Sequence, residues 1–345
     1  MGFIILFGGN SYEHEISIVS SITLKKELKN ISAFVFLDSS GSFYLISKEN
    51  MKSKYFALLE YKKAPKLELT NGGFLQKSLM SKKILKGVVI NLIHGKSGED
   101  GQIAGILDFY NIRFIGPRLE ASVLSFNKEL TKIYAKNRNV KVLDYKILRK
   151  GDDYSNMDLT LPLILKPARL GSSIGISLIK DIDDIDYALD CAFEFDDTVV
   201  VESFIPDIKE YNLAGCIIND EFVFSTIEEI KKNEYLDFDK KYLDFATTKK
   251  LQEAQISNTL RDNIKNSFKK IYLNCFEGSL IRCDFFAIND EVFLNEINPI
   301  PGSMACYLFE NFGGILNSLS INLPSNDVLN IQYKYISKIQ AIKGK

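Results

Sequence analysis

Residues 281–298 read Ile281-Arg-Cys-Asp-Phe-Phe-Ala-Ile-Asn-Asp-Glu-Val-Phe-Leu-Asn-Glu-Ile-Asn298. Two apolar runs flank a polar Asn-Asp-Glu, the pattern of two strands joined by a tight turn. Side chains two apart in a strand share a face, so Arg282 lies with Asp284 and Glu296 lies with Asn298. Two carboxylates, an amide oxygen and a guanidinium then converge. Mg²⁺ takes hard oxygen donors and usually binds through one or two carboxylates together with substrate phosphates, so the pattern predicts ATP chemistry. Register is the condition. Asp284 and Glu296 face each other if the turn is the three-residue Asn289-Asp290-Glu291, or if a bulge corrects a two-residue Asn-Asp turn. The first of these is the expectation here. An isolated pair of this kind is more often a surface hairpin with solvated charges, and the rest of the chain has to tip the balance.

The chain of 345 residues has room for two or three domains. With 46% hydrophobic and 25% charged residues it has the composition of an ordinary soluble globular protein. A net charge of −1 argues against broad electrostatic binding to nucleic acid or an anionic membrane. Cys191, Cys216, Cys275, Cys283 and Cys306 are odd in number and lack C-x₂-C spacing, so they read as buried free thiols in a reducing cytoplasm. The apolar run Phe3–Phe7 is too short to span a bilayer, and no basic segment precedes it. His14 and His94 are the only histidines, which excludes a His-rich metal site. The expectation is a cytoplasmic protein acting on small molecules, with neither nucleic acid nor membrane as partner.

Along the chain, a strand at Phe3–Phe7, a helix from about Glu15 to Leu28 and a strand at Ala33–Leu37 predict a doubly wound α/β start. Residues 48–86 are Lys-rich and weakly patterned, and read as a peripheral excursion. A buried strand at Gly87–Ile93, a helix at Gln102–Tyr110 and a short strand at Arg113–Ile115 complete this unit, with Gly116-Pro117 as its boundary. A second unit follows: a helix at Phe126–Asn137, strands at Val142–Leu148, Leu163–Lys166, Ile176–Ile179 and Val199–Glu202, and a helix at Asp183–Phe193. The third begins near Ile205, with a hairpin across Asn219-Asp220 and an amphipathic helix at Ile256–Tyr272 before the hairpin quoted first. Residues 228–250 between them are charged, aromatic and without periodicity, and a loop that long usually has a function.

Three loops carry chemistry-bearing residues. Lys166-Pro-Ala-Arg-Leu-Gly-Ser-Ser-Ile-Gly175 sets a lysine at a strand end before a loop rich in hydroxyl and N–H donors, suited to phosphate oxygens, although a plain turn fits equally. It is not a Walker loop, since no G-K-[ST] is present. His94-Gly-Lys-Ser-Gly-Glu-Asp-Gly-Gln-Ile-Ala-Gly105 follows a strand, where α/β sheets bind ligands, and Asp100 is placed to cap the next helix. A lone histidine at such a point is more often structural than catalytic. Gly8-Gly-Asn-Ser-Tyr-Glu-His-Glu15 fails as a dinucleotide fingerprint for want of a third glycine, yet Glu13 and Glu15 offer carboxylates to an amine.

Together these segments resemble the D-alanine–D-alanine ligases of the ATP-grasp superfamily. The likeness runs from Gly8 to Gly302, through HGxxGEDGxIxGxL at His94–Leu107, KPxxxGSSxG at Lys166–Gly175 and NxxPG at Asn298–Gly302; it fades over 48–86 and after about 310. The resemblance implies an ATP-grasp fold of mixed α/β and α+β class. A doubly wound N-terminal α/β domain (1–116) would precede a central (117–204) and a C-terminal (205–345) α+β domain, with a lid at about 228–250. It implies that Lys128, Lys166, Ser173, Glu202, Glu210 and Lys241 bind ATP: the first two on its phosphates, Glu202 near the adenine, Glu210 on the ribose and Lys241 facing the γ-phosphate. Asp284, Glu296 and Asn298 would hold Mg²⁺ or Mn²⁺, two ions in all. Arg282 and the Gly302 N–H would form an oxyanion hole. Glu13 would take the first D-alanine's ammonium and His94 would lie near its carboxylate, while Glu13, Ser172 and Tyr242 would form a triad that closes the site. Tyr307 stands where the family often has a serine on the second substrate's carboxylate, a departure that puts those contacts in question. The activity implied is ATP-dependent joining of two D-alanines through a D-alanyl phosphate for peptidoglycan, by a homodimer. Ligases making D-Ala–D-lactate typically carry histidine in the lid, so Tyr242 favours the dipeptide; D-Ala–D-Ser is left open. From other classes, a nicotinamide-dependent oxidoreductase lacks its G-x-G-x-x-G here, and a non-catalytic nucleotide-binding module would not need Arg282 and the metal ligands together.

Overall fold

The computed structural model describes residues 2–78, 81–154, 160–230, 253–324 and 330–343. Three separate sheets organise it. In the first, the uniformly apolar β1 (Phe3–Gly8) runs parallel to β2 (Ile31–Leu37) on one side and to β7 (Val88–Asn91) on the other, and β7 to β8 (Phe114–Ile115). α1 (His14–Glu27) makes the first crossover and α3 (Gln102–Phe109) the last. Strands buried on both faces read as continuous apolar runs, and every residue of β1 and β7 is buried. The chain leaves β1 for β2 on one side and resumes at β7 on the other, so a topological switch point lies between β1 and β7. Ligands bind beyond the carboxyl ends of the strands at such a point, which is where the loops after Gly8 and after Asn91 emerge.

The stretch expected to be a peripheral excursion extends this sheet instead. β3 (Phe43–Ile46), β4 (Lys66–Thr70), β5 (Gly73–Lys77) and β6 (Lys82–Leu85) add antiparallel strands in the order β6-β5-β4-β3-β2, and the short helix α2 (Ser53–Ala57) lies between β3 and β4. The sequence hid them because β6 is exposed over three of its four residues and β4 does not alternate cleanly, so neither carries a strong period-2 signal.

The second sheet is antiparallel, in the order β11 (Ser177–Ile179), β10 (Leu163–Pro167), β12 (Thr198–Ser203), β9 (Tyr145–Arg149). α6 (Ile185–Phe193) packs on it through Ile185, Ala188, Leu189 and Ala192. Two helices precede it where the sequence suggested one: α4 (Leu119–Phe126) ends at Asn127, whose side chain caps α5 (Lys128–Asn137) by accepting from the Glu129 and Leu130 N–H groups.

In the third sheet β13 (Lys209–Ile218) lies between β16 (Ile281–Ile288) on one edge and both β14 (Glu221–Phe224) and β15 (Glu228–Ile230) on the other, while β17 (Glu291–Asn298) pairs with β16. β15 occupies the first residues of the region expected to be irregular. α7 (Asn258–Tyr272) is capped by Ser257 and buries Leu260, Ile264, Phe268 and Ile271, the helical stripe expected for it. α8 (Phe312–Ile321) packs against β13, and α9 (Lys334–Lys343) ends the described chain. One core runs from Phe3, Ile5 and Phe7 of β1 through to Leu213, Phe268 and Phe285 of this sheet. All five cysteines are free; Cys216, Cys283 and Cys306 are buried, whereas Cys191 and Cys275 are only partly so. No helix among the described residues is long and apolar enough to cross a membrane.

Candidate active site

The β16–β17 hairpin settles the register question. Its turn is the two-residue Asn289-Asp290, with Ile288 paired to Glu291 and both turn residues at positive φ (49° and 63°), which corrects the three-residue turn expected. Asn and Asp tolerate this left-handed geometry, which matches the twist of a hairpin. The pairing then slips by one: Phe285 opposes Leu294, but Asp284 opposes Glu296 and Arg282 opposes Asn298. The extra residue is Asn295, a bulge of the kind that re-aims side chains. It brings Arg282, Asp284, Glu296 and Asn298 to one face.

Arg282 grips Asp284 with a two-pronged fork, Nε to Oδ1 at 2.7 Å and Nη2 to Oδ2 at 2.9 Å. The Asn298 amide donates to Asp284 Oδ2 at 2.9 Å and to Glu296 Oε1 at 3.5 Å. Burial pushes the Asp284 carboxyl above its usual range; Arg282 opposes this and the neighbouring Glu296 adds to it. The polar row continues across the sheet, since Asn212 of β13 pairs with both Asp284 and Glu228 of β15. Asn212 donates to Glu228 Oε2 at 2.9 Å, and the Tyr307 hydroxyl donates to the same oxygen at 3.3 Å. Tyr307 therefore reaches the row beside Arg282, and burial lifts both the Glu228 and the Tyr307 pKa.

The loops from the first two sheets converge on Glu13. Its carboxylate is buried and accepts from Ser172 Oγ at 2.6 Å, a bond between residues 159 apart in sequence. Two glycines make room for it. A Cβ on Gly171 would stand 2.9 Å from Glu13 Oε1, and one on Gly95, at φ +69°, would stand 2.7 Å from Oε2. Oε2 itself is buried without a hydrogen-bond partner among the described residues, an orphaned acceptor that a bound cationic donor would satisfy. Burial raises the Glu13 pKa, opposed by the Ser172 bond and by Lys128. Ser11 ties this loop to the next, donating to the His94 carbonyl at 2.7 Å. Ser172 and Ser173 both hold positive φ (56° and 59°), so the predicted phosphate loop is a built turn and not a slack one.

His94 is buried, with Nε2 3.1 Å from Ser20 Oγ, and that hydroxyl also accepts from the Ser303 N–H at 2.9 Å. Burial drives the imidazole down to about 4, so it is neutral at pH 7 and serves to join α1 to the segment after Gly302. In that segment (Gly302–Leu308) Ser303, Met304 and Ala305 all adopt left-handed backbone angles, which cost non-glycine residues roughly 1–2 kcal/mol each.

The lysines come from α5 and β10. Lys166 Nζ lies 2.6 Å from Glu202 Oε2 and 3.2 Å from Asn295 Oδ1, so the bulge residue touches the lysine. Lys132, one helical turn beyond Lys128, pairs with the other oxygen of Glu202. Burial works against the Glu202 charge, but the two lysines overcome it and hold the carboxyl at about 2. Lys128 Nζ donates to the Leu170 carbonyl. The Glu296 charge acts on Glu13, Glu99, Lys128 and Lys166 alike, and that of Glu210 acts on Lys166. Hairpin and loops therefore surround one space.

Of the sequence-derived residues, Glu13, His94, Lys128, Lys166, Ser172, Ser173, Glu202, Glu210, Arg282, Asp284, Glu296, Asn298, Gly302 and Tyr307 lie on the elements that border this space, whereas Lys241 and Tyr242 fall outside the described residues. Lys132, Glu99, Asn212, Glu228 and Asn295 were not anticipated. Glu99 sits inside the glycine-rich motif, accepts from the Gly95 N–H at 2.9 Å and is pushed well above the usual carboxylate range by burial and by Glu13; the motif itself was its signal. Lys132 had only its i+4 spacing from Lys128 to mark it. Asp100 accepts from the Gln102 N–H at 3.0 Å, although Gly101 holds the cap position of α3.

The described residues contain no group of three His, Cys, Asp or Glu set for a metal. The donor set at the hairpin is two carboxylates and an amide, all able to present oxygen. The Glu296 charge raises the pKa of the buried Asp284 beside it, and two such carboxylates fit a divalent cation, whose charge would relieve that repulsion.

The chain matches two family models, one described as D-ala D-ala ligase N-terminus over residues 2–117 and one as D-ala D-ala ligase C-terminus over residues 134–313. It is 56% identical to a D-alanine–D-alanine ligase of Campylobacter jejuni subsp. doylei, over 100% of both chains. Among solved structures it resembles the D-alanine–D-alanine ligase of Helicobacter pylori, with a TM-score of 0.85 and 49% identity over 95% of this chain and 100% of that one. It also resembles the VanG D-Ala:D-Ser ligase of Enterococcus faecalis, with a TM-score of 0.76 and 25% identity over 92% of this chain and 98% of that one.

Proposed function

This chain belongs to the D-alanine–D-alanine ligase family, and on that premise we propose how its own residues carry the reaction. The enzyme is an ADP-forming ligase of ATP-grasp fold that joins two D-alanines, a step of peptidoglycan synthesis. We assign 1–116, 117–204 and 205–345 as its three domains, each built on one of the sheets. The observation that carries the site assignment is the Glu13–Ser172 bond, which closes the first-domain loop onto the central-domain loop.

A carboxylate is a poor acyl donor until it is phosphorylated. The first D-alanine binds with its ammonium on Glu13, whose orphaned Oε2 supplies the acceptor, and with its carboxylate towards His94 and the hairpin. Lys128 and Lys166 neutralise ATP phosphates, Glu210 takes the ribose, Glu202 lies near the adenine, and the Ser172-Ser173 loop covers the phosphates. Such transfer depends on in-line positioning and charge stabilisation, not on a protein nucleophile. The carboxylate oxygen bonds to the γ-phosphorus, ADP leaves, and a D-alanyl phosphate results. The amine of the second D-alanine, having lost a proton, attacks the carbonyl carbon. Arg282 and the Gly302 N–H stabilise the oxyanion, and losing one such donor typically costs roughly 10²–10³-fold in rate. Phosphate then leaves and the peptide bond remains. Tyr307, anchored on Glu228, lines the second-substrate end. Lys241 and Tyr242 lie outside the described residues; by the family resemblance Lys241 would face the γ-phosphate and Tyr242 would complete the set with Glu13 and Ser172.

Asp284, Glu296 and Asn298 would hold Mg²⁺ or Mn²⁺, two ions in all, and when bound these ions neutralise phosphate charge during transfer. We further propose that the protein works in the cytoplasm as a homodimer. Ile106 and Phe109 of α3, Leu119 and Val123 of α4, and Leu130 and Ile133 of α5 are exposed on adjoining helices, with Phe109 at 81% exposure. Large apolar side chains exposed together on adjoining helices support reading this face as the association surface.

The test is phosphate release from ATP and Mg²⁺ with D-alanine, with L-alanine, and with D-alanine plus D-lactate or D-serine, the products being identified by mass. Formation of D-Ala–D-Ala from the D-isomer alone is the expected result. A preference for D-serine or D-lactate as second substrate would overturn the assignment of the second site.

A further inference from the structure

We propose that Lys132 is a positioning residue for ATP, acting through Glu202 on Lys166. The inference deepens the ATP-site reading above and rests on it. Lys132 lies on the inner face of α5, one turn after Lys128, and its side chain is only 3% exposed. A buried ammonium needs an anionic partner, and its partner is Glu202, 2% exposed on β12. The second oxygen of the same carboxylate holds Lys166 at 2.6 Å, and Lys166 continues to Asn295 at 3.2 Å. Lys132, Glu202, Lys166 and Asn295 thus form one chain of charges and dipoles running from the helix, across the central sheet, to the hairpin bulge.

This arrangement has a consequence for binding. Two lysines share one carboxylate, so the trio keeps a single net positive charge for an anionic ligand. With both oxygens of Glu202 engaged, the carboxylate is fixed in rotation, and Lys166 is fixed with it. Without Lys132 the carboxylate is free to turn its whole charge onto Lys166, drawing that ammonium away from phosphate. The Tyr145 ring, 5.2 Å from Lys132 Nζ, lines the far side and leaves the ammonium little room to swing elsewhere. Lys132 touches no reacting atom in this account; it sets where Lys166 points.

The experiment is steady-state kinetics and nucleotide binding on the full chain with Lys132→Met, Glu202→Gln and the double variant. Loss of a charge-assisted contact corresponds to about a tenfold change or more. We expect Lys132→Met to raise KM for ATP about tenfold, with KM for D-alanine unchanged and Lys132→Arg restoring most of the loss. We expect the double variant to be no worse than Glu202→Gln alone, because Lys132 acts only through that carboxylate. Should Lys132→Met fail to fold, Lys132→Gln tests the same charge. A KM for ATP within twofold of wild type, or losses that add in the double variant, would overturn the role of Lys132. If Glu202→Gln itself left ATP binding unchanged, the failure would lie with the ATP-site reading and would take this proposal with it.

Discussion

At neutral pH Glu202 divides its charge between Lys132 and Lys166, and its folded pKa near 2 lies below the ordinary 4.5. The folded state therefore holds that proton less tightly than the unfolded chain. The stabilisation is complete above pH 4.5 and is lost as pH falls towards 2, a change of roughly 3 kcal/mol. Denaturant unfolding of wild type and Glu202→Gln should thus show a stability gap that is constant above pH 5 and narrows on acidification. A gap that did not change with pH would remove the ion pair from the account. His94 works in a different window. Its folded value near 4 lies below the ordinary 6.5, so burial of the neutral ring stabilises fully above pH 6.5 and progressively less down to 4. His94→Gln should flatten the stability profile between those values while leaving the more acidic range as in wild type. At the hairpin, Glu296→Gln removes one of two carboxylate donors from the site. Turnover should fall by at least about 10³-fold, since the charge on the transferring phosphoryl group loses its counterweight, while the melting temperature stays close to that of wild type. Near-normal rates would sink the assignment of Glu296.

Among the elements, the bulge at Asn295 matters most. A strand alternates with a period of two, so a one-residue slip sends every side chain beyond it to the other face. Deleting Asn295 should carry the register of the two-residue turn straight through to Glu296, which then still opposes Asp284, and should remove the contact that Lys166 makes with the bulge. Turnover should persist with a raised KM for ATP, since the row of Arg282, Asp284, Glu296 and Asn298 survives and Lys166 loses its Asn295 partner; a deletion variant without turnover would mean that the bulge shapes the site beyond setting its register. The sequence foreshadowed a bulge as one of two ways to pair Asp284 with Glu296, but it could not choose. Turn length and bulge are decided jointly by neighbours, here β13 on the far edge of β16 and Lys166 reaching Asn295. α7 was legible because its apolar stripe recurs at helical spacing. β4 and β6 were not, because partly exposed strands lack the alternation that burial enforces. α4 was missed for a related reason: Leu119 and Val123 face outwards, so its pattern blurs.

For the whole molecule, the site belongs to no single sheet. Glu13 comes from the first, Ser172, Lys166 and Glu202 from the second, and the hairpin from the third, so substrate binding and the packing of the three units are coupled. The exposed apolar face of α3, α4 and α5 gives a prediction at this scale. Phe109→Asp together with Leu119→Asp should halve the mass seen by sedimentation velocity from that of a dimer to that of a monomer, with the ligase site intact. An unchanged mass would place the association surface elsewhere.

The sequence by itself determined the mixed α/β start, the order of most strands and helices, and the identity of most residues now found around the site. These are local matters: apolar periodicity, glycine and hydroxyl loops, and side-chain types whose chemistry does not depend on the fold. Only the tertiary structure decided that the hairpin is bulged at Asn295, that residues 66–85 extend a sheet, that His94 spends its ring on Ser20, and that Lys132 stands behind Glu202. Each of these depends on a partner far away in the chain. A sequence records which groups are present, but burial, and the partner that must then satisfy each buried group, exists only once distant segments meet.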